Sequence, residues 1–168
     1  MTCEVIDAVH VRAHDEGLFN HHRKECLMSI TAQFSSPSVL RRVLAFDAVS
    51  GAATGALHLL LAPVLAAWLG LPEALLQATG LAIFAFVALA GWLALQASPP
   101  RGPLMAIVLL NFAWAVGCLW LAFGGAVDPT PLGLAYLLVQ AFVVAVLAEL
   151  EWMGWRQLAT AERMPFAA

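Results

Sequence analysis

The stretch VLAFDAVSGAATGALHLLLAPVLAAWL, from Val43 to Leu69, contains one acidic side chain and no basic one. At about 1.5 Å per residue, a helix of this length exceeds a hydrocarbon core of about 30 Å. The rest of the chain offers no charged shell in which to bury it, since 62% of the 168 residues are hydrophobic and only 11% are charged. Lipid is the solvent that such a composition fits.

Within that stretch the residues that are not plain hydrocarbon fall in order. Asp47, Ser50, Gly51, Thr54, Gly55 and His58 follow one another at helical spacing, and at about 100° per residue they share one face. The opposite face carries Phe46, Val49, Ala53, Leu57 and Leu60. A bilayer supplies no hydrogen bonds, so the polar stripe is expected to face protein or an internal water pocket. Ser50, Gly51, Thr54 and Gly55 include a GxxxG pair that admits a close helix crossing, within one bundle or between subunits.

Four apolar segments are marked, at about 43–69, 74–95, 104–123 and 132–148, separated by turns rich in Pro, Gly and charge. None alternates with the two-residue period of a membrane barrel strand. The expected architecture is all-α, a polytopic four-helix transmembrane bundle. In that arrangement Arg12, Arg23, Lys24, Arg41, Arg42, Arg101, Arg156 and Arg163 all fall on one side, while Glu73 and Asp128 fall on the other. The positive-inside rule then predicts that both termini are cytoplasmic.

The chain divides into a polar tail at 1–40, a membrane domain at 41–158 and a short cytoplasmic tail at 159–168. The first tail lacks the apolar run of a signal peptide, and Met1 and Met28 are both candidate translation starts. Its His14, His21, His22 and Cys26 lack a second well-spaced ligand pair, so no metal site is expected. Cys3 and Cys26 would face a reducing compartment and Cys118 lies in the third span, which argues against a structural disulfide. A net charge of −3 and the absence of an extended basic patch leave no nucleic-acid partner.

Further along the first span, Pro63 removes one backbone donor and frees the Leu59 carbonyl, so a bend is expected there. The second span has no ionisable residue and reads as packing and lipid contact, with Ala78, Ala82 and Ala85 as a small-residue ridge. The third aligns Asn111, Ala115, Cys118 and Ala122. The fourth aligns Tyr136, Gln140, Val144, Leu147 and Glu151, with Glu149 pointing elsewhere. VLAFDAVSGA and VLLNFAWAVG place Asp47 and Asn111 at related points, which suggests two hairpins in the same orientation.

Asp47 is the sharpest candidate, because an intramembrane carboxyl can exchange a proton or cation. Arg41 or Arg42 is expected near enough to pair with it. His58, Asn111 and Gln140 extend a candidate polar path from it. His58 is the lone histidine of the spans, whereas bis-histidine haem needs two, so no cofactor is expected. Paired catalytic carboxylates, a nucleophile triad, a Walker loop and HExxH are all missing, which leaves an enzyme without visible machinery.

LRRVLAFDAVSGAATGALHLLLAPVLAAWLGLP, LLNFAWAVG and VLAELEWMG resemble segments of small four-span bacterial integral membrane proteins, over about 38–158. The resemblance implies a compact bundle in the bacterial inner membrane and transfers no activity. Small multidrug-resistance transporters share the four-span layout and a carboxylate in the first span. Here the acid lies nearer the cytoplasmic edge and their motif has no residue-by-residue match. The functional expectation is a small self-associating or accessory membrane subunit, contacting lipid and either a second copy or another membrane protein. The alternative is a proton- or cation-coupled transporter using Asp47.

Overall fold

A computed structural model of the protein describes residues 37–162, which form five helices and no strand. They are α1 (Pro37–Leu60), α2 (Ala62–Leu69), α3 (Glu73–Leu95), α4 (Arg101–Phe123) and α5 (Pro131–Glu162). Four stretches are long and apolar enough to cross a membrane: Ser38–Leu60, Glu73–Leu95, Arg101–Phe123 and Pro131–Leu158. The protein is an all-helical, multi-pass membrane bundle.

Two of the expected spans need correction. The 43–69 stretch is not one helix, because the chain breaks at Leu61 between α1 and α2. Pro63 cannot donate to the Leu59 carbonyl, and the backbone turns two residues before it. The membrane-length helix therefore starts earlier, at Ser38, and ends at Leu60. α5 stays helical to Glu162, and its stretch long and apolar enough to cross a membrane runs to Leu158 rather than to 148.

At one end of the bundle, α2 closes on Gly70, whose φ of 69° is left-handed and whose N–H reaches the Ala66 carbonyl at 3.0 Å. A Cβ on Gly70 would meet the Asp128 carbonyl at 2.7 Å, so two turns press together there. Thr130 joins them. Its hydroxyl donates to the Trp68 carbonyl at 2.6 Å and accepts the Gly133 N–H at 3.1 Å, capping α5, while Pro131 occupies the first helical position.

The opposite end is held by arginines. Arg41 Nε donates to the Ala94 carbonyl at 3.0 Å, satisfying an orphan group at the last turn of α3. The Arg101 guanidinium lies 5.2 Å from the centre of the Trp155 ring, and Trp155 Nε1 donates back to the Arg101 carbonyl at 3.1 Å.

Packing is closest within two hairpins, α1 with α3 and α4 with α5. Gly51 and Gly55 serve the first of these internally. A Cβ added to Gly55 would lie 3.3 Å from the Gly80 carbonyl and 3.1 Å from Phe84 of α3, closer than ordinary van der Waals contact. The face of α3 that packs is Leu76, Gly80, Ile83, Ala90 and Leu93. Ala78, Ala82 and Ala85, expected as the packing ridge, are exposed. The outer faces carry Phe46, Val49, Leu60, Val116 and Phe142 in the open, which suits hydrocarbon and would aggregate in water.

Two apolar clusters close the bundle near its ends. Leu40, Leu44, Ala90, Leu93, Leu104 and Ile107 form one near the arginines, and Ala62, Leu69, Leu71, Leu76 and Leu137 form the other. Polar side chains are concentrated in the length between.

Candidate functional site

The inward face of α1 is the one its spacing marks. Asp47, Gly55 and His58 are buried and Ser50, Gly51 and Thr54 half-buried, while Phe46, Val49, Ala53, Leu57 and Leu60 are exposed. This stripe feeds two polar groupings.

The first joins Asp47, Asn111 and Glu151. Asn111 Nδ2 donates to Asp47 Oδ2 at 2.7 Å and to Glu151 Oε2 at 3.0 Å, so both amide hydrogens are spent on carboxyls from different hairpins. All three residues are at most 4% exposed, and Glu151 is wholly buried. One amide nitrogen thus gathers both carboxyl groups. Glu151 Oε1 faces no donor.

Charge decides the state of this pair. Among the described residues no arginine or lysine pairs with either carboxyl, and the expected partner Arg41 is engaged at Ala94. Two unit charges about 4 Å apart repel by about 4 kcal/mol even at an effective dielectric of about 20. A hydrogen bond to a charged group returns about 1.5–3 kcal/mol. Repulsion added to the several kcal/mol that each buried charge loses in desolvation exceeds what the two bonds of one amide supply, so the pair retains a proton or takes up a cation.

The second grouping is a chain of four side chains. Thr79 spends its proton on the Leu75 and Leu76 carbonyls, at 2.8 and 3.0 Å. With that proton on the helix carbonyls it accepts from His58 Nδ1, 3.0 Å away, and the network assigns His58 the Nδ1–H tautomer. His58 Nε2 then accepts from the Tyr136 hydroxyl at 2.7 Å, and that oxygen accepts from Gln140 Nε2 at 3.1 Å. Both ring nitrogens are thus hydrogen-bonded within the bundle.

Comparison with protein-family models, curated proteins and solved structures finds no match to this chain. The site must be read from its own geometry. Two cavities lie between the hairpins and share Leu110, Trp114, Tyr136 and Gln140 as a common wall. One, of about 300 Å³, includes Asp47, Ser50, Thr54, Asn111 and Gln140 in its lining. The other, of about 420 Å³, includes His58, Thr79, Cys118 and Tyr136 among mostly apolar walls.

The residues singled out from sequence thus divide. Asp47 and Asn111 are brought into contact, His58 and Gln140 are linked through Tyr136, and Ser50, Gly51 and Thr54 reach the first cavity. Glu151, Tyr136 and Thr79 are the residues sequence reasoning did not assign to the site. Glu151 lies on the Tyr136 and Gln140 stripe, a signal set aside when the fourth span was ended at 148. Thr79, a lone hydroxyl in an apolar span, carries no such signal. Among the described residues no group of three His, Cys, Asp or Glu is placed to hold a metal ion. His14, His21, His22 and Cys26 lie outside the described residues.

Proposed function

We propose that this protein is a small membrane carrier coupled to protons or cations, with Asp47 and Glu151 as its ion-binding pair. One observation carries the reading: two buried carboxyls from separate hairpins share a single amide donor, and Asp47 also lines a cavity between those hairpins. A buried pair that is one donor short can trade its proton for another cation. Loading one hairpin-spanning centre is also a means of changing how the hairpins meet.

The self-associating or accessory subunit is the second reading. Its motif, Gly51 with Gly55, is already occupied by α3 within the same chain. The carrier reading is therefore preferred. The gathering of Arg41, Arg42, Arg101 and Arg156 at one end supports cytoplasmic termini by the positive-inside rule, and the resemblance of the spans supports a bacterial inner membrane.

Proteoliposomes loaded with a pH-reporting dye test this reading under imposed sodium, potassium and proton gradients. Protein-dependent proton flux, abolished in Asp47→Asn and Glu151→Gln variants that retain helical content, is the expected result. Equal flux in both variants, or none from folded wild type, would overturn it.

A further inference from the structure

We propose that the cavity beside Asp47 binds a lipophilic primary amine in its protonated form. The inference deepens the carrier reading and rests on it for its physiological meaning, but binding itself is measured without transport.

The polar wall of this cavity is rich in acceptors, beside the Thr54 hydroxyl and a Ser50 hydroxyl that already donates to the Asp47 carbonyl. Asn111 has committed both amide hydrogens to carboxyls, so its Oδ1 is the atom left for a ligand. Asp47 supplies carboxyl oxygen, and Gln140, whose amide nitrogen is drawn to Tyr136, supplies a second amide oxygen. Asp47 and Asn111 are each 4% exposed, so their side chains are committed to the interior rather than to lipid. No arginine, lysine or histidine lines the cavity. Such a wall rejects anions and carboxylates, and it matches a group that brings several N–H donors with a positive charge.

The remaining wall selects the body of the ligand. Phe86 and Trp114 offer aromatic surface, suited both to an apolar chain and to the approach of a cation. A volume of about 300 Å³ takes a small molecule rather than a lipid or peptide. Val139 and Val143, 62% and 40% exposed, place the cavity rim on the outer surface of α5, where a membrane-dissolved amine arrives from the side. Three ammonium hydrogens directed at Asp47, Asn111 and Gln140 fill the missing donors; a quaternary ammonium has none and an alcohol has one without charge.

The test is equilibrium dialysis of radiolabelled 3-phenylpropylamine against the full chain in detergent micelles, with empty micelles as the blank. Saturable binding is expected, with 3-phenylpropan-1-ol and trimethyl(3-phenylpropyl)ammonium competing at least about 10-fold more weakly, as loss of charge-assisted hydrogen bonds implies. Asp47→Asn should weaken binding about 10-fold or more. Val143→Trp, which fills the rim from an exposed position and leaves the fold intact, should abolish it. Absence of saturable binding, equal competition by the alcohol, or unchanged binding in Val143→Trp would overturn the proposal. Proton flux lost in Asp47→Asn without any amine binding keeps the carrier and removes the amine. Asp47-dependent amine binding without flux keeps the site and removes the carrier.

Discussion

Asp47 of α1 and Asn111 of α4 meet at 2.7 Å, which ties the first hairpin to the second through one buried amide. Because the same amide nitrogen also holds Glu151, the link is a three-helix junction built from residues far apart in the chain.

Asn111→Leu preserves size but removes both donors, leaving two buried carboxyls without an N–H. Each hydrogen bond of this kind inside a membrane bundle contributes about 0.6–2 kcal/mol, so a loss of about 1–4 kcal/mol is expected. Unfolding by SDS in mixed micelles, followed by circular dichroism, measures it. Replacing Asp47, Asn111 and Glu151 together by Leu should recover much of the loss, because an unpaired polar group costs more than its absence.

Two buried carboxyl groups gathered on one amide nitrogen repel unless one of them keeps its proton. Infrared spectra at neutral pH should therefore carry a protonated-carboxyl stretch that disappears in Glu151→Gln, where the surviving Asp47 can ionise against two amides. A spectrum in which wild type and variant coincide would show that the pair is held together by something other than a proton.

His58 should report as the Nδ1–H tautomer in nitrogen-15 spectra of selectively labelled protein, since Thr79 has no proton left to donate. Tyr136→Phe removes the donor to Nε2, so that resonance should move while the Nδ1 resonance is retained. The accompanying loss of stability is about 1 kcal/mol.

Glycines separate by what surrounds them. A Cβ on Gly133 would collide with the Leu69 carbonyl, a backbone atom that cannot rotate away, whereas one on Gly117 meets nothing within 4 Å. Gly133→Ala should cost about 1–3 kcal/mol, in line with overpacking, and Gly117→Ala should be neutral or stabilise by up to about 1 kcal/mol through helix propensity. Both are read from the same SDS unfolding titration.

The inward stripe of α1 was legible because Asp47, Ser50, Thr54 and His58 recur at the period of one helix, against a uniformly aliphatic opposite face. The break near Pro63 was legible for a local reason too, the missing N–H. Glu151 was not assigned to the site, because charges and tryptophans around 149–156 resemble a helix leaving the membrane. The packing of Gly154 against Leu40 and of Trp155 against Arg101, with the Asn111 bond to Glu151, keeps that turn of α5 within the bundle. The small-residue ridge of α3 was misread for a related reason: alanine is acceptable on a lipid face and in a helix crossing alike, so its spacing cannot tell which side meets protein.

Sequence alone determined the solvent, the helical class, the number of long apolar helices and the face of α1 that turns inward. These follow from hydropathy and periodicity, which belong to one helix at a time. Tertiary structure alone decided that Asn111 bridges two carboxyls, that His58 is bracketed by Thr79 and Tyr136, and that the glycine pair is used within the chain. Those outcomes depend on the rotation and depth of one helix against another, and apolar helices of similar composition leave both open until their side chains meet.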